Sequence, residues 1–116
     1  MMLRGEIRLV NLDPALAGEA SKRRPAIVVS NDHANAVAAR LGRGVVTVVP
    51  ITSNTAHIYP FQVLLPASET GVRVDSKAQA EQVRSVSVER LGPLVGRVSA
   101  QLMAELDDAL RLHLQL

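Results

Sequence analysis

Apolar and polar positions alternate in short bursts along this chain, and most of the bursts have the period of a strand. From Glu6 to Leu12, Ile7 and Leu9 alternate with Glu6 and Arg8, the two-residue repeat of a half-buried strand. A polar loop follows from Asp13 to Arg24, entered through Pro14. Ala26-Ile27-Val28-Val29-Ser30 is a short β-branched run and reads as a second strand. Asn31 or Asp32 is placed to cap a helix whose Ala34, Val37, Ala38 and Leu41 recur at i, i+3, i+4 and i+7; Gly42 stops it. Val45 to Ile51 is almost wholly apolar, which predicts a central strand buried on both faces.

The second half has the same texture. Phe61 to Leu65 predicts a strand and Ser68 to Gly71 a turn, while Val72–Val74 and Lys77–Ala80 are short, weak strand signals. Val83 to Val88 sets valines against Ser85 and Ser87, a half-exposed strand that Gly92-Pro93 should break before a last one at Leu94–Val98. Ser99 can cap a terminal helix, with Val98 and Met103 placed as a hydrophobic staple. On that helix Leu102, Met103, Leu106, Leu110 and Leu114 share one face; Leu112 falls on the polar side. Many short strands with two helices predict a mainly β fold. It would be a small, strongly twisted β-barrel with a short inserted helix, closed by a C-terminal helix, in one domain from 1 to 116.

Composition narrows the chemistry. Without cysteine, disulfides and thiolate metal sites are excluded, and a reducing cytoplasm is the natural compartment. No leader-like pattern opens the chain, and no apolar run approaches the roughly 20 residues of a membrane helix. Tyr59 and Phe61 are the only tyrosine and phenylalanine and tryptophan is missing, so the core must be aliphatic. A net charge of +2 permits a polyanionic partner without demanding one. His33, His57 and His113 lack ligand spacing and read as surface or structural histidines, so no metal or other cofactor is expected. Phosphate-binding glycine loops and a GxSxG elbow are missing too.

What remains is polar residues at strand ends. Lys22-Arg23-Arg24-Pro25 sets three cations before a buried strand, where a guanidinium could grip a phosphate through two hydrogen bonds. Thr52 and Ser53 follow an apolar strand, and Glu81-Gln82-Val83-Arg84-Ser85 is rich in polar groups. Each segment alone is also what a solvated loop, a turn or an exposed strand start looks like.

Taken in order, Gly5-Glu6-Ile7 with Asp13-Pro14, Arg24-Pro25 through Asn31, Val49-Pro50-Ile51-Thr52-Ser53, Tyr59-Pro60-Phe61-Gln62-Val63 and Glu81 through Ser85 resemble the MazF/PemK family of mRNA-cleaving toxins, over nearly the whole chain. The resemblance implies an SH3-like barrel, a homodimer, a cognate MazE-like antitoxin, and metal-independent cutting of single-stranded RNA. It implies that Arg24 stabilises the transition state or protonates the leaving oxygen, and that Thr52 orients the scissile phosphate. Glu19 would line the active-site loop, and Lys22, Arg23, Asn31, Ser53, Gln82 and Arg84 would meet the RNA. Two departures stand out: Ala17-Gly18-Glu19 replaces the family's Gly-Ser-Glu, and Arg8 stands where many members carry an aromatic residue. With so few aromatics, recognition is expected to lean on hydrogen bonds and phosphate contacts. A non-catalytic nucleic-acid-binding barrel and a peptide-binding module are the competing expectations, the latter weakened by the lack of an aromatic groove.

Overall fold

The computed structural model describes residues 2–12 and 23–116. Among them run strands β1 (Glu6–Asn11), β2 (Arg23–Val28), β3 (Val45–Thr52), β4 (Gln62–Leu65), β5 (Ser76–Gln79), β6 (Arg84–Ser87) and β7 (Leu91–Arg97), with helices α1 (Asp32–Leu41), α2 (Ala67–Thr70) and α3 (Ala100–Leu114). All strand pairings are antiparallel. The sheet order is β4-β5-β3-β2-β1-β7, with β6 pairing β3 as well.

Among the described residues the sheet itself is open rather than a continuous barrel: β4 and β7 are its two ends. Helix α3 covers the core between the sheet's faces, the place expected for it from the sequence. Leu102, Leu106 and Ala109 of α3 are buried with Ile7, Ile27, Val49, Ile51, Val63 and Leu65 from the sheet. The opposite face holds a second core of Val10, Ala26, Val28, Val46, Val48 and Val86, together with Ala38 of α1. Alternate residues of β2 and β3 therefore feed different cores. This is why Val45 to Ile51 shows an unbroken apolar run rather than a period of two.

β3 has a divided edge. Its first half, Val45 to Val48, pairs with β6, whereas Ile51 and Thr52 pair with β5. Pro50, which has no N–H to donate, falls between these two ladders and has its register partner in β2 at Ala26.

Several boundaries differ from the sequence expectation. β2 begins at Arg23, because Asn11 and Val10 of β1 pair with Arg23 and Arg24 and draw the polar residues into the ladder. Val72–Val74 forms no strand; the ladder begins at Ser76, opposite Leu65. Gly92-Pro93 does not interrupt β7. The two residues sit in an irregularity between the pairs Arg8–Leu94 and Val10–Leu91 on an edge strand, where a missing N–H is tolerated. The Ser68–Gly71 turn is the end of α2, capped by Gly71 at φ 88°. Leu114, assigned to the apolar face of α3, is half exposed.

Both longer helices carry the expected caps. Asn31 Oδ1 accepts from the Ala34 N–H at 2.8 Å, and Ser99 accepts from the Leu102 N–H. Because Ser99 meets one of the otherwise unpaired N–H groups that start α3, Ser99→Ala should cost about 1 kcal/mol, read as a lower urea midpoint with an unchanged slope. Glu6 is buried and holds Arg8 at 3.0 Å and Arg97 at 3.4 Å, tying β1 to β7 by charge. Beside this pair, α2 meets β7 backbone to backbone: a Cβ on Gly71 would lie 3.0 Å from the Val95 oxygen, and one on Gly96 would overlap the Thr70 carbonyl.

Candidate active site

Strand register brings the two catalytic candidates together. β2 and β3 are in register at Ala26–Pro50, Ile27–Val49 and Val28–Val48. Continued two residues beyond Ala26–Pro50, the same register sets Arg24 opposite Thr52, with both side chains on one face of the sheet. Val10 pairs with Arg24 on one side, and Thr52 pairs with Lys77, itself opposite Leu64, on the other. A single row thus crosses five strands as Val10, Arg24, Thr52, Lys77 and Leu64. Pro25 follows Arg24 directly and biases it toward extended backbone, so the guanidinium leaves the sheet from a fixed strand end.

Two cavities share Arg24 as a wall. The larger, about 580 Å³, is lined by Arg24, Thr52, Ser53, Arg73 and Ser76 over an apolar floor that includes Ile51 and Val72. The smaller, about 300 Å³, is lined by Arg24, Gln79, Gln82 and Arg84. The Thr52 hydroxyl oxygen accepts from the Asn54 N–H at 3.3 Å, which leaves its proton available for donation. Four ion pairs occur among the described residues, and none engages Arg24, Arg73 or Arg84. Three guanidinium groups without a carboxylate partner among those residues, around one mainly apolar cavity edged with hydroxyls and one mainly polar cavity, suit a polyanion of more than one phosphate.

The remaining site candidates divide. Ser53, Gln82 and Arg84 join Arg24 and Thr52 at these cavities. Arg23 lines neither: the alternation of β2 turns it from Arg24, and its Nη1 lies beside Gly92 of β7. Asn31 sits beyond the opposite end of β2 with its side chain committed to the α1 cap, so helix capping accounts for it there. Glu19 and Lys22, with the altered 17–19 stretch, lie outside the described residues. Arg73, Ser76 and Gln79 were not singled out from the sequence. Arg73 had a signal, a lone cation between Val72 and Val74, but the segment belonged to no recognisable motif. Among the described residues, no three His, Asp or Glu side chains cluster as a metal-binding set.

Comparison with known proteins decides the family. The family of PemK-like, MazF-like toxins of type II toxin–antitoxin systems matches residues 3–114. The chain belongs to this family. It is 66% identical over 116 residues to endoribonuclease MazF9 of Mycobacterium tuberculosis, covering 100% of this chain and 98% of the relative. Its fold is similar to that of a mycobacterial endoribonuclease in complex with its cognate antitoxin, with a TM-score of 0.78 at 22% identity, covering 100% of this chain and 97% of that one. It is also similar to MazF from the MazE–MazF complex (Form-II) of Deinococcus radiodurans, with a TM-score of 0.74 at 29% identity, covering 99% and 96%. The MazF-like assignment spans both Arg24-Pro25 and Ile51-Thr52-Ser53, so the matched region contains the cavities and not only the scaffold.

Proposed function

We propose that this chain is a MazF-type endoribonuclease, the toxin of a type II toxin–antitoxin pair, which cuts single-stranded mRNA without a metal ion and so halts translation. The whole chain, 1–116, acts as one cytoplasmic domain. Its curled sheet is an open relative of the SH3-like barrel. One observation carries the reading: Arg24 and Thr52 line the same cavity, at neighbouring strand ends that the β2–β3 register, continued by two residues, sets opposite each other.

In this reaction the ribose 2′-OH gives up its proton and attacks the adjacent phosphorus in line. The 5′-oxygen leaves and takes up a proton, so a 2′,3′-cyclic phosphate and a 5′-OH remain. The step needs alignment and relief of charge on the non-bridging oxygens, both of which fixed donors supply. Thr52 orients the scissile phosphate, Arg24 offsets the developing charge, and Ser53, Gln82 and Arg84 hold the flanking nucleotides. By resemblance to the family, Glu19 is assigned to the active-site loop, and Lys22 and Arg23 to contacts with the RNA. DNA, lacking the 2′-OH, is spared.

The test is to incubate the protein with a long mRNA in EDTA and map the new 5′ ends. Cleavage at a recurring short motif, with 5′-OH ends, is expected, and EDTA should change the rate by less than about twofold, since no step above uses a metal. Loss of cleavage in EDTA that Mg²⁺ restores would overturn the mechanism.

The partners are a second copy of the chain and an acidic MazE-like antitoxin that competes with RNA phosphates for the basic groove. Leu94, Leu112 and Leu114 are 47%, 55% and 50% exposed, apolar surface that a second copy would cover. Light scattering at micromolar concentration should therefore give twice the 12.4 kDa chain mass; a mass of one chain would refute the dimer.

A further inference from the structure

The chain's one tyrosine and one phenylalanine lie outside both hydrophobic cores. In a domain short of aromatic residues this is an unusual use of two large apolar side chains, which ordinarily dominate core packing. They are instead assembled with a histidine in the segment joining β3 to β4. The Tyr59 and Phe61 rings stack with centroids 5.3 Å apart and planes 2° from parallel. The His57 ring meets Tyr59 at 4.2 Å, tilted by 50°. Phe61 is half-buried, whereas His57 and Tyr59 are exposed, Tyr59 by 47%.

This ladder is held from two directions. The Lys77 ammonium donates to the His57 carbonyl at 2.6 Å and lies 6.0 Å from the centre of the Tyr59 ring. Lys77 is the cross-strand partner of Thr52, so the anchor of the ladder stands about one strand spacing from the proposed phosphate-orienting hydroxyl. On the other side Tyr59 donates its N–H to Gln62 Oε1 at 3.1 Å, and Gln62 Nε2 donates to Glu81 Oε2 at 2.6 Å. Gln62 is itself buried, and Glu81 immediately precedes Gln82 of the smaller cavity. The backbone of the segment that carries the rings is thus tied to β5 through Lys77 and to β4 through Gln62, which in turn holds Glu81.

We infer that His57 and Tyr59, backed by Phe61, form a stacking platform for one unstacked nucleobase of the bound RNA, beside the Arg24–Thr52 pair. The inference rests on the endoribonuclease reading and deepens it. Exposed rings offer a base π-surface in water, and the anchored segment needs no ordering when RNA arrives. Because every base has a π-face, this subsite fixes the strand's path and leaves base identity to the polar groups of the cavities.

The test uses an oligoribonucleotide whose cleavage position has been mapped. In one version the attacking 2′-OH is replaced by hydrogen, and 2-aminopurine is introduced at each position in turn. Stacking on the platform should quench the fluorescence of a single position near the cleavage site. Tyr59→Ala and His57→Ala should each lose that quench and weaken binding roughly tenfold or more, while Tyr59→Phe, which keeps the ring, should retain both. With the cleavable version, KM for Tyr59→Ala should rise by more than kcat falls. Wild-type protein that cuts no RNA would remove the endoribonuclease reading itself. Cleavage by wild type, Tyr59→Ala and His57→Ala with equal KM, or a quench that survives both substitutions, would overturn the platform alone. Circular dichroism identifies any variant that fails to fold; His57 is exposed, and its substitution then decides the matter.

Discussion

Arg24→Ala is expected to lose cleavage by at least about 10²-fold, the effect of removing one fixed donor from a charge-developing transition state, while the fold survives. The side chain is exposed and enters neither core, so truncation opens no cavity. Thr52→Ala should behave similarly, because the role proposed for Thr52 belongs to its hydroxyl and the substitution leaves the strand intact. Arg24→Lys should recover little, since an ammonium cannot reproduce the two-pronged grip of a guanidinium on adjacent phosphate oxygens. Initial rates on a defined RNA, beside circular dichroism and thermal melting of each variant, check all three. A folded Arg24→Ala protein cutting at the wild-type rate would remove Arg24 from the mechanism.

The largest effect on stability is expected at Gly96, next to Val95 in the wall of the larger cavity. A methyl group there would overlap the Thr70 carbonyl, and its other near neighbours, the Thr70 carbonyl carbon and Gly71 Cα, are backbone as well. No side chain can rotate away. The α2–β7 contact must part or β7 must shift, and the buried Glu6 pairing with Arg97 lies in the same strand. Gly96→Ala should therefore cost about 3 kcal/mol, the upper range for forcing extra atoms into a packed site. Gly42→Ala is the matched comparison: Gly42 also has a positive φ of 66°, but nothing lies within 4 Å of its Cβ position. That variant pays only for backbone strain, about 1 kcal/mol. Urea unfolding of the pair separates steric overlap from strain; equal losses would show that the α2–β7 contact yields.

How far these features were legible in the sequence depends on whether they are local. The caps of α1 and α3 were readable because Asn31, Gly42 and Ser99 act within one turn of themselves. β3 was readable because burial on both faces leaves an unbroken apolar run. The place of α3 over the core was readable from its apolar face, but that the sheet stays open was not, since whether β4 and β7 meet depends on twist and stagger that no local pattern records. The Gly92-Pro93 break failed for a related reason: the dipeptide would stop a central strand, but nothing local reveals that β7 is an edge. Within the site, Arg24, Thr52, Ser53, Gln82 and Arg84 were found through segments whose residues lie close in sequence. Arg73 and Ser76 reach the cavity only through the turn after α2 and the β4–β5 pairing, and no short motif contains them. Asn31 shows the converse: its place in a conspicuous run made it a candidate, while its side chain serves the helix. His57 was passed over because a lone histidine is usually structural, and its meaning depends on Tyr59 two residues away and Lys77 twenty away.

The divided edge of β3 gives this small molecule two jaws on one hinge strand. One jaw, β6 with the turn before it, carries Gln82 and Arg84; the other, β5 with β4, carries Lys77 and the ring ladder. They bond to different stretches of β3, and neither bonds to β2, which carries Arg24. Residues on either jaw can be exchanged without breaking the β2–β3 ladder that sets Arg24 beside Thr52. On the proposed function, the grip on a nucleotide sequence can be revised one half at a time while the proposed blade stays where it is.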